Sequence, residues 1–438
     1  MGKGNRRKVR ADEFDSSDAD SVSSTSTALS ELTLADETEH VNSLEFVLEK
    51  YIDALYEKRG STRETALSGL VDAFEGHVLA TFVENKCITL LHQCINSVKR
   101  GSTKENCLAS RAIGLLAITV GAGTSAHEIM EESVPQLSRA LRSASDALKI
   151  SVLDCLSVIT FVGANDLAET ETSLKIMWEV IHPKSVSNVG PLKKPSSAVL
   201  AAAISAWSFL LTTISSWRIN PDTWKESISF LSTLLEADNR YDRSVRIAAG
   251  EAIALFFELG ILDMSYNEES GIESFDDEVS KRRTVTYMQS MKAKISGQVY
   301  NLSMEAGGKG ADKKNLNDQR ELFQKFGIFS RYFFFGECPE VSLKISSKRN
   351  ILRTSTWGQL VQLNFLKHYL GRGFLKHAQE NELLHDVFEY IVDKTESLSA
   401  KEKKISRSMD KKGRNQQLNK DRRMAQARKQ GHLSAQDA

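Results

Sequence analysis

Twelve residues between positions 401 and 429 are lysine or arginine: Lys401, Lys403, Lys404, Arg407, Lys411, Lys412, Arg414, Lys420, Arg422, Arg423, Arg428 and Lys429. Only Glu402, Asp410 and Asp421 oppose them, which leaves a net charge of +9. Cations at this density suit one kind of chemistry, displacement of the counterions of a polyphosphate. Ile405, Met409, Leu418 and Met424 are the large apolar residues here, too few and scattered for the stripe of a packed helix. The segment is expected to be disordered or marginally helical on its own and to gain helix against nucleic acid. A solubilising tail or a nuclear-import signal is the other reading, although the charge density exceeds what import needs.

A second set of cations lies on a repeated motif. Lys58-Arg59-Gly60-Ser61-Thr62-Arg63-Glu64 returns forty-one positions later as Lys99-Arg100-Gly101-Ser102-Thr103-Lys104-Glu105. Each copy reads as a tight corner between two helices: cations beside the last carbonyls, Gly at a left-handed C′ position, Ser as N-cap, and Glu closing a capping box. A second step of the same length reaches Ser143, near Arg139 and Arg142. Stacked corners would align Lys58, Arg59, Lys99, Arg100, Arg139 and Arg142 as a basic edge facing phosphate. Complementation of helix dipoles, at about 0.3–1 kcal/mol each, explains the same residues without a ligand.

Helical repeats must hold these corners. The apolar columns keep the register: Ala66, Cys107, Leu148; Ala73, Gly114, Cys155; Phe74, Leu115, Leu156. A period of about 40–47 residues marks an armadillo- or HEAT-type solenoid. Roughly five units are expected, ending near residue 262, with a further amphipathic helix over about 277–304. Gly121-Ala122-Gly123 lacks the strand and spacing of a phosphate-binding loop and reads as a connection. His182-Pro183 to Pro195 is an inserted loop, Ser196-Ser197 a helix cap, and Pro221 a first helical residue.

The expected class is all-α, a helical solenoid with a small, mostly helical C-terminal domain and charged, disordered tails. The organisation reads as 1–40 acidic and Ser-rich, 41–304 repeats, 305–320 linker, 321–392 C-terminal domain, and 393–438 basic tail. The net charge of zero is a cancellation, because residues 11–40 carry nine acids and no Lys or Arg. Val341 to Ile345 alternates as a short strand does, and helices are expected over about 355–370 and 373–392. The five cysteines form no C-x-x-C pair and read as reduced core residues of an intracellular protein. No signal peptide or bilayer-spanning run precedes the repeats, and Arg6 spoils a myristoylation start at Met1-Gly2.

Residues Ala54 to Arg59, Leu90 to Cys94, Glu131 to Pro135 and Ala248 to Leu255, followed by Gly336-Glu337-Cys338 and Trp357 to Tyr369, resemble the interferon-related developmental regulator family. The likeness spans about residues 41–392. It implies an armadillo-like solenoid, a family-specific C-terminal domain, and a regulator of gene expression, in a family whose members act both as transcriptional co-regulators and on translationally inactive ribosomes.

No other motif carries chemistry. His77, His92, His127, His182, His368, His377 and His385 fall into no metal spacing. Trp207, Trp217 and Trp224 read as core rather than a peptide groove, and Tyr332 to Phe335 as core rather than a base-stacking surface. No nucleophile pairs with a base, so a non-enzymatic protein without cofactor or small-molecule substrate is expected. Two functions remain. One is a ribosome- or rRNA-binding regulator that restrains translation through its tail. The other is a nuclear co-regulator whose solenoid groove grips protein partners. Cytoplasm and nucleus are the expected compartments, with no membrane partner.

Overall fold

The computed structural model describes residues 37–142, 145–183, 194–214, 221–236, 242–260, 275–306, 336–337, 340–345 and 351–390. Five helix pairs follow one another: α1 (Glu37–Ala54) with α2 (Gly60–Gly76), α3 (Ala80–Arg100) with α4 (Thr103–Val120), α5 (Thr124–Leu141) with α6 (Asp146–Gly163), α7 (Leu167–Ile181) with α8 (Ser197–Leu211), and α9 (Pro221–Leu234) with α10 (Arg243–Glu258). A long helix, α11 (Phe275–Ala306), packs on α9. The fold is a helical solenoid.

The even-numbered helices stack in a row and the odd-numbered ones cover one side of it. This division is written in the residues. α3 buries a single stripe, Cys87, Leu90, Leu91, Cys94, Ile95 and Val98, and leaves His92 and Asn96 in solvent. α4 instead buries every residue from Ala112 to Thr119. A helix that is apolar all round needs neighbours all round, so the even row requires a second cover.

That cover is the chain's own C-terminal segment. A two-stranded antiparallel sheet pairs β1 (Val341–Lys344) with β2 (Ile351–Thr354), Val341 lying opposite Thr354. Then come α12 (Trp357–Leu370), a single 3-10 turn (Gly371–Gly373), α13 (Phe374–Glu380) and α14 (Glu382–Val387). These helices cross the even row from α10 back to α2, against the order of the repeats. The Glu258 carboxylate at the end of α10 accepts the Trp357 and Gly358 backbone N–H groups, both at 2.7 Å, and so caps α12 from outside. Thr356 caps the same turn through Gln359 N at 3.1 Å. Farther along, Gln362 donates to Thr212 at 3.0 Å, and Phe365 stacks on Phe209 of α8 with centroids 4.3 Å apart.

Tyr369 reaches α4. Its hydroxyl donates to the Arg111 carbonyl at 3.2 Å and lies against Gly114, where a Cβ would occupy its place. The glycine in the Ala73, Gly114, Cys155 column thus makes room for a side chain from the covering segment. Arg111 in turn donates to the Tyr369 carbonyl and, at 2.7 Å, to Glu75. Beyond the left-handed Gly371 (φ 51°), His377 packs on α2. A carbonyl can only accept, so His377 Nε2–H donates to Phe74 O at 2.8 Å. Its Nδ1 then accepts from Asn381, 3.2 Å away, whose amide also donates to Ile118 O. The contacts fall between the middle and the C-terminal end of the even helices, from Arg111 in the middle of α4 to Glu258 at the end of α10.

Two groups at this junction, the buried His377 and the half-buried Asp154, respond to pH in opposite senses. Burial pushes the His377 imidazole below its ordinary range, against the Phe74 carbonyl that pulls it up. Stability from this group is present above about pH 6.5 and is lost as pH falls, because the unfolded chain takes the proton first. Burial raises the Asp154 carboxyl to about 7, with Arg111 opposing. The folded chain therefore holds a proton that the unfolded chain releases, and stability is lost as pH rises from the ordinary carboxylate range through 7. Asp154→Asn removes only the second effect. Thermal melts across pH 5–8 should show the variant gaining on the parent as pH rises, and a constant difference would contradict the burial of Asp154.

Several expectations need correcting. Gly101 is extended (φ −75°, ψ 172°) rather than left-handed, and Gly60 is already the first residue of α2. Ser102 does cap α4, accepting from Glu105 N at 3.1 Å, but Arg59 rather than Ser61 stands at the N-cap of α2. The first connector is longer, and there the Arg63 guanidinium takes the Glu57 and Lys58 carbonyls at 2.8 and 2.9 Å, supplying the satisfaction that a glycine turn would have given. β2 leaves no mark in the sequence, because its exposed Ile351 and buried Thr354 break the apolar–polar alternation that β1 shows. Trp207 is core and Trp224 packs against it with ring centroids 5.6 Å apart, whereas Trp217 and the run Tyr332 to Phe335 lie outside the described residues.

Candidate nucleic-acid interface

The twelve tail cations from Lys401 to Lys429 all lie outside the described residues, as does the acidic segment before residue 37. Of the two sets of cations, the basic edge is the one that falls within the described residues. Lys58 and Arg59 lie in the connector after α1, Lys99 and Arg100 in the last turn of α3, Arg139 in the last turn of α5, and Arg142 directly after it. All six side chains are exposed. They share one end of the molecule, since each stands where an odd helix turns into its even partner.

What holds these corners in register is a set of bonds between the two copies of the repeated motif. Arg63 donates from Nε and Nη2 to the two carboxylate oxygens of Glu105, at 2.8 and 3.0 Å, forty-two positions away. Glu64 receives the Ser102 hydroxyl at 2.7 Å and faces Lys104 at 3.5 Å. The glutamates expected to cap their own helices therefore fasten neighbouring repeats. The Glu105 side chain is 1% exposed. Burial alone would raise its pKa, but hydrogen bonds from Arg63 and Ser97 and the Arg63 charge hold it below the ordinary carboxylate range. This clasp was missed as a unit, and the signal for it was present: opposite charges recurring at the repeat spacing.

The clasp consumes Arg63 and Lys104 and spares the edge. Arg139 makes one hydrogen bond, to Gln136 at 3.3 Å, and among the described residues no acid pairs with the other five cations. Lys99, Arg100 and Arg139 stand where dipole complementation would put them; Lys58 and Arg59 lie past the end of α1, where that account weakens. Unpaired cations on a rigid edge can exchange counterions for phosphate.

The described cysteines are accounted for by packing. Cys87, Cys94, Cys107 and Cys155 are free thiols, and burial pushes Cys87 up to about 11 and Cys94 to about 12, far from the thiolate that reactivity needs. Cys338 is outside the described residues. Among the described residues no group of three or more His, Cys, Asp or Glu side chains could hold a metal ion, and no helix is long and apolar enough to cross a membrane.

Comparison with known proteins follows the same lines. Residues 15–326 match the model of a family described as interferon-related developmental regulator. Interferon-related developmental regulator 2 of Mus musculus is 26% identical over 361 residues, covering 81% of this chain and 74% of its own. Interferon-related developmental regulator 1 of Homo sapiens is 27% identical over 366 residues, covering 81% and 73%. A designed armadillo repeat protein superposes with a TM-score of 0.38 at 13% identity, over 64% of this chain and 99% of that one. By the extent of the family match, which takes in the helix pairs and the clasped corners, this chain belongs to the interferon-related developmental regulator family.

Proposed function

We propose that the protein is a non-enzymatic regulator of gene expression that docks on ribosomal RNA and restrains translation by steric occupation. In this reading the solenoid presents its basic edge to phosphate, and the +9 segment at 401–429 threads among further phosphates. The observation that carries it is the pairing of an exposed, uncompensated basic edge with an even-helix row that is already covered. A groove-binding co-regulator would have to take its partner on a face where α12 to α14 lie, so the covered row supports docking by the edge and tail instead.

The test is a salt titration together with a deletion. If the tail neutralises about six phosphates, the logarithm of RNA affinity should fall against the logarithm of salt with a slope near −4 to −5. Removal of residues 399–438 should abolish co-sedimentation with ribosomes from lysates. Unchanged co-sedimentation after that deletion would sink the threading mechanism, and retained association with chromatin would favour the co-regulator.

A further inference from the structure

The same chain carries a strongly acidic stretch whose charge is opposite to that of the basic edge. Residues 12–20, Asp-Glu-Phe-Asp-Ser-Ser-Asp-Ala-Asp, hold five acids in nine positions and no cation. The edge holds six exposed cations against the exposed carboxylates of Glu57 and Asp146, so the two charges are complementary.

Reach permits the contact. α1 begins at Glu37, and its eighteen residues carry the chain about 27 Å to the first corner. The seventeen steps from Asp20 to Glu37 span up to about 56 Å when extended, enough to run back along α1 and beyond it. The exposed face of α1 also offers a route, since Phe46 is 58% exposed with the Lys50 ammonium 4.3 Å from its ring centroid, and Tyr56 is 62% exposed beside Lys58. Large apolar side chains left in solvent next to unpaired cations suit a peptide that carries both acids and an aromatic, as this one does in Phe14.

We propose that residues 12–20 dock on the basic edge within the same molecule and compete there with nucleic acid, so that the free protein is partly self-masked. The competition, though not the contact, rests on the nucleic-acid reading of the edge. A tether of this length sets an effective concentration near the millimolar range, which makes even a weak contact compete several-fold.

The test uses the full chain and a twenty-nucleotide oligouridine as probe. Zero-length carbodiimide cross-linking of the free protein should join acids of 12–20 to Lys58 and Lys99. Neutralising the stretch (Asp12→Asn, Glu13→Gln, Asp15→Asn, Asp18→Asn, Asp20→Asn) should tighten oligouridine binding about 3- to 10-fold. The gain should persist when residues 401–438 are removed and vanish when Lys58, Arg59, Lys99 and Arg100 are all alanine. Cross-links from 12–20 to Lys401–Lys429 instead, or to neither, overturn the inference, as does a gain that survives loss of the edge cations. Cross-links to Lys58 and Lys99 with no oligouridine affinity at the edge uphold the contact and sink only the nucleic-acid reading.

Discussion

Gly373→Ala is expected to destabilise the protein by about 2–4 kcal/mol, although alanine is the better helix former by about 1 kcal/mol. Gly373 has φ −78° and ψ −12°, a conformation any residue adopts, so no backbone strain enters. The cost is steric. A Cβ here would fall inside the van der Waals shell of the Glu75 carbonyl, and that carbonyl is helix backbone, which cannot swing aside as a side chain can. Overpacking of this kind costs about 1–3 kcal/mol. Lifting the segment to relieve it would also weaken the buried His377 bond to Phe74 O, whose loss adds about 1–3 kcal/mol. Urea unfolding measures the total, and amide exchange over 374–387 locates it. Gly297→Ala on α11, where a Cβ meets nothing within 4 Å, is the control and should be neutral or stabilising. A Gly373→Ala protein as stable as its parent would mean that the 3-10 turn does not rest on α2.

That contact also marks where sequence reasoning stops. The forty-one-residue columns placed Phe74, Leu115 and Leu156 in the core, because apolar residues recurring at the repeat spacing take equivalent inward positions in successive units. The same columns presented Gly114 as one more small residue and gave no hint that Tyr369 fills the space. Pairings such as Tyr369 with Arg111 or His377 with Phe74 join residues 258 and 303 positions apart, and no local period encodes them. One trace was legible. The second half of α4 is buried on every side, which demands a second layer, and the C-terminal domain read over 321–392 was the apolar material left to supply it. The basic edge was readable because its residues repeat. Its fastening was harder to see, since the capping box and the clasp draw on the same glutamates and differ only in which neighbour arrives first.

The clasp yields the second large effect. Arg63→Ala should cost about 3–5 kcal/mol at pH 7, since it strands a buried carboxylate rather than merely deleting a bond. The size follows from the asymmetry of the pair: the Arg63 side chain is 22% exposed and recovers hydration on unfolding, whereas the Glu105 side chain at 1% has no water to turn to. Lys104 and Glu64 supply the contrast. The Lys104 side chain is 74% exposed, and Lys104→Ala should change stability by under about 1 kcal/mol.

The pH dependence separates this account from simple loss of packing. In the parent, Glu105 has a depressed pKa, so its contribution is complete above the unfolded carboxylate value of about 4.3 and fades as pH falls through the folded one. Without Arg63, burial acts with less opposition and the carboxyl moves upward, so the variant is relieved as pH falls from 8 towards 5 while the parent is not. The stability gap should therefore narrow on acidification. In Glu105→Gln the neutral amide needs no counter-charge, and adding Arg63→Ala should cost much less there, a coupling that a double-mutant cycle reads directly. A gap that stays constant across this range would mean that Arg63 acts through its stem alone, and that the first two corners of the basic edge are aligned by apolar packing rather than by charge.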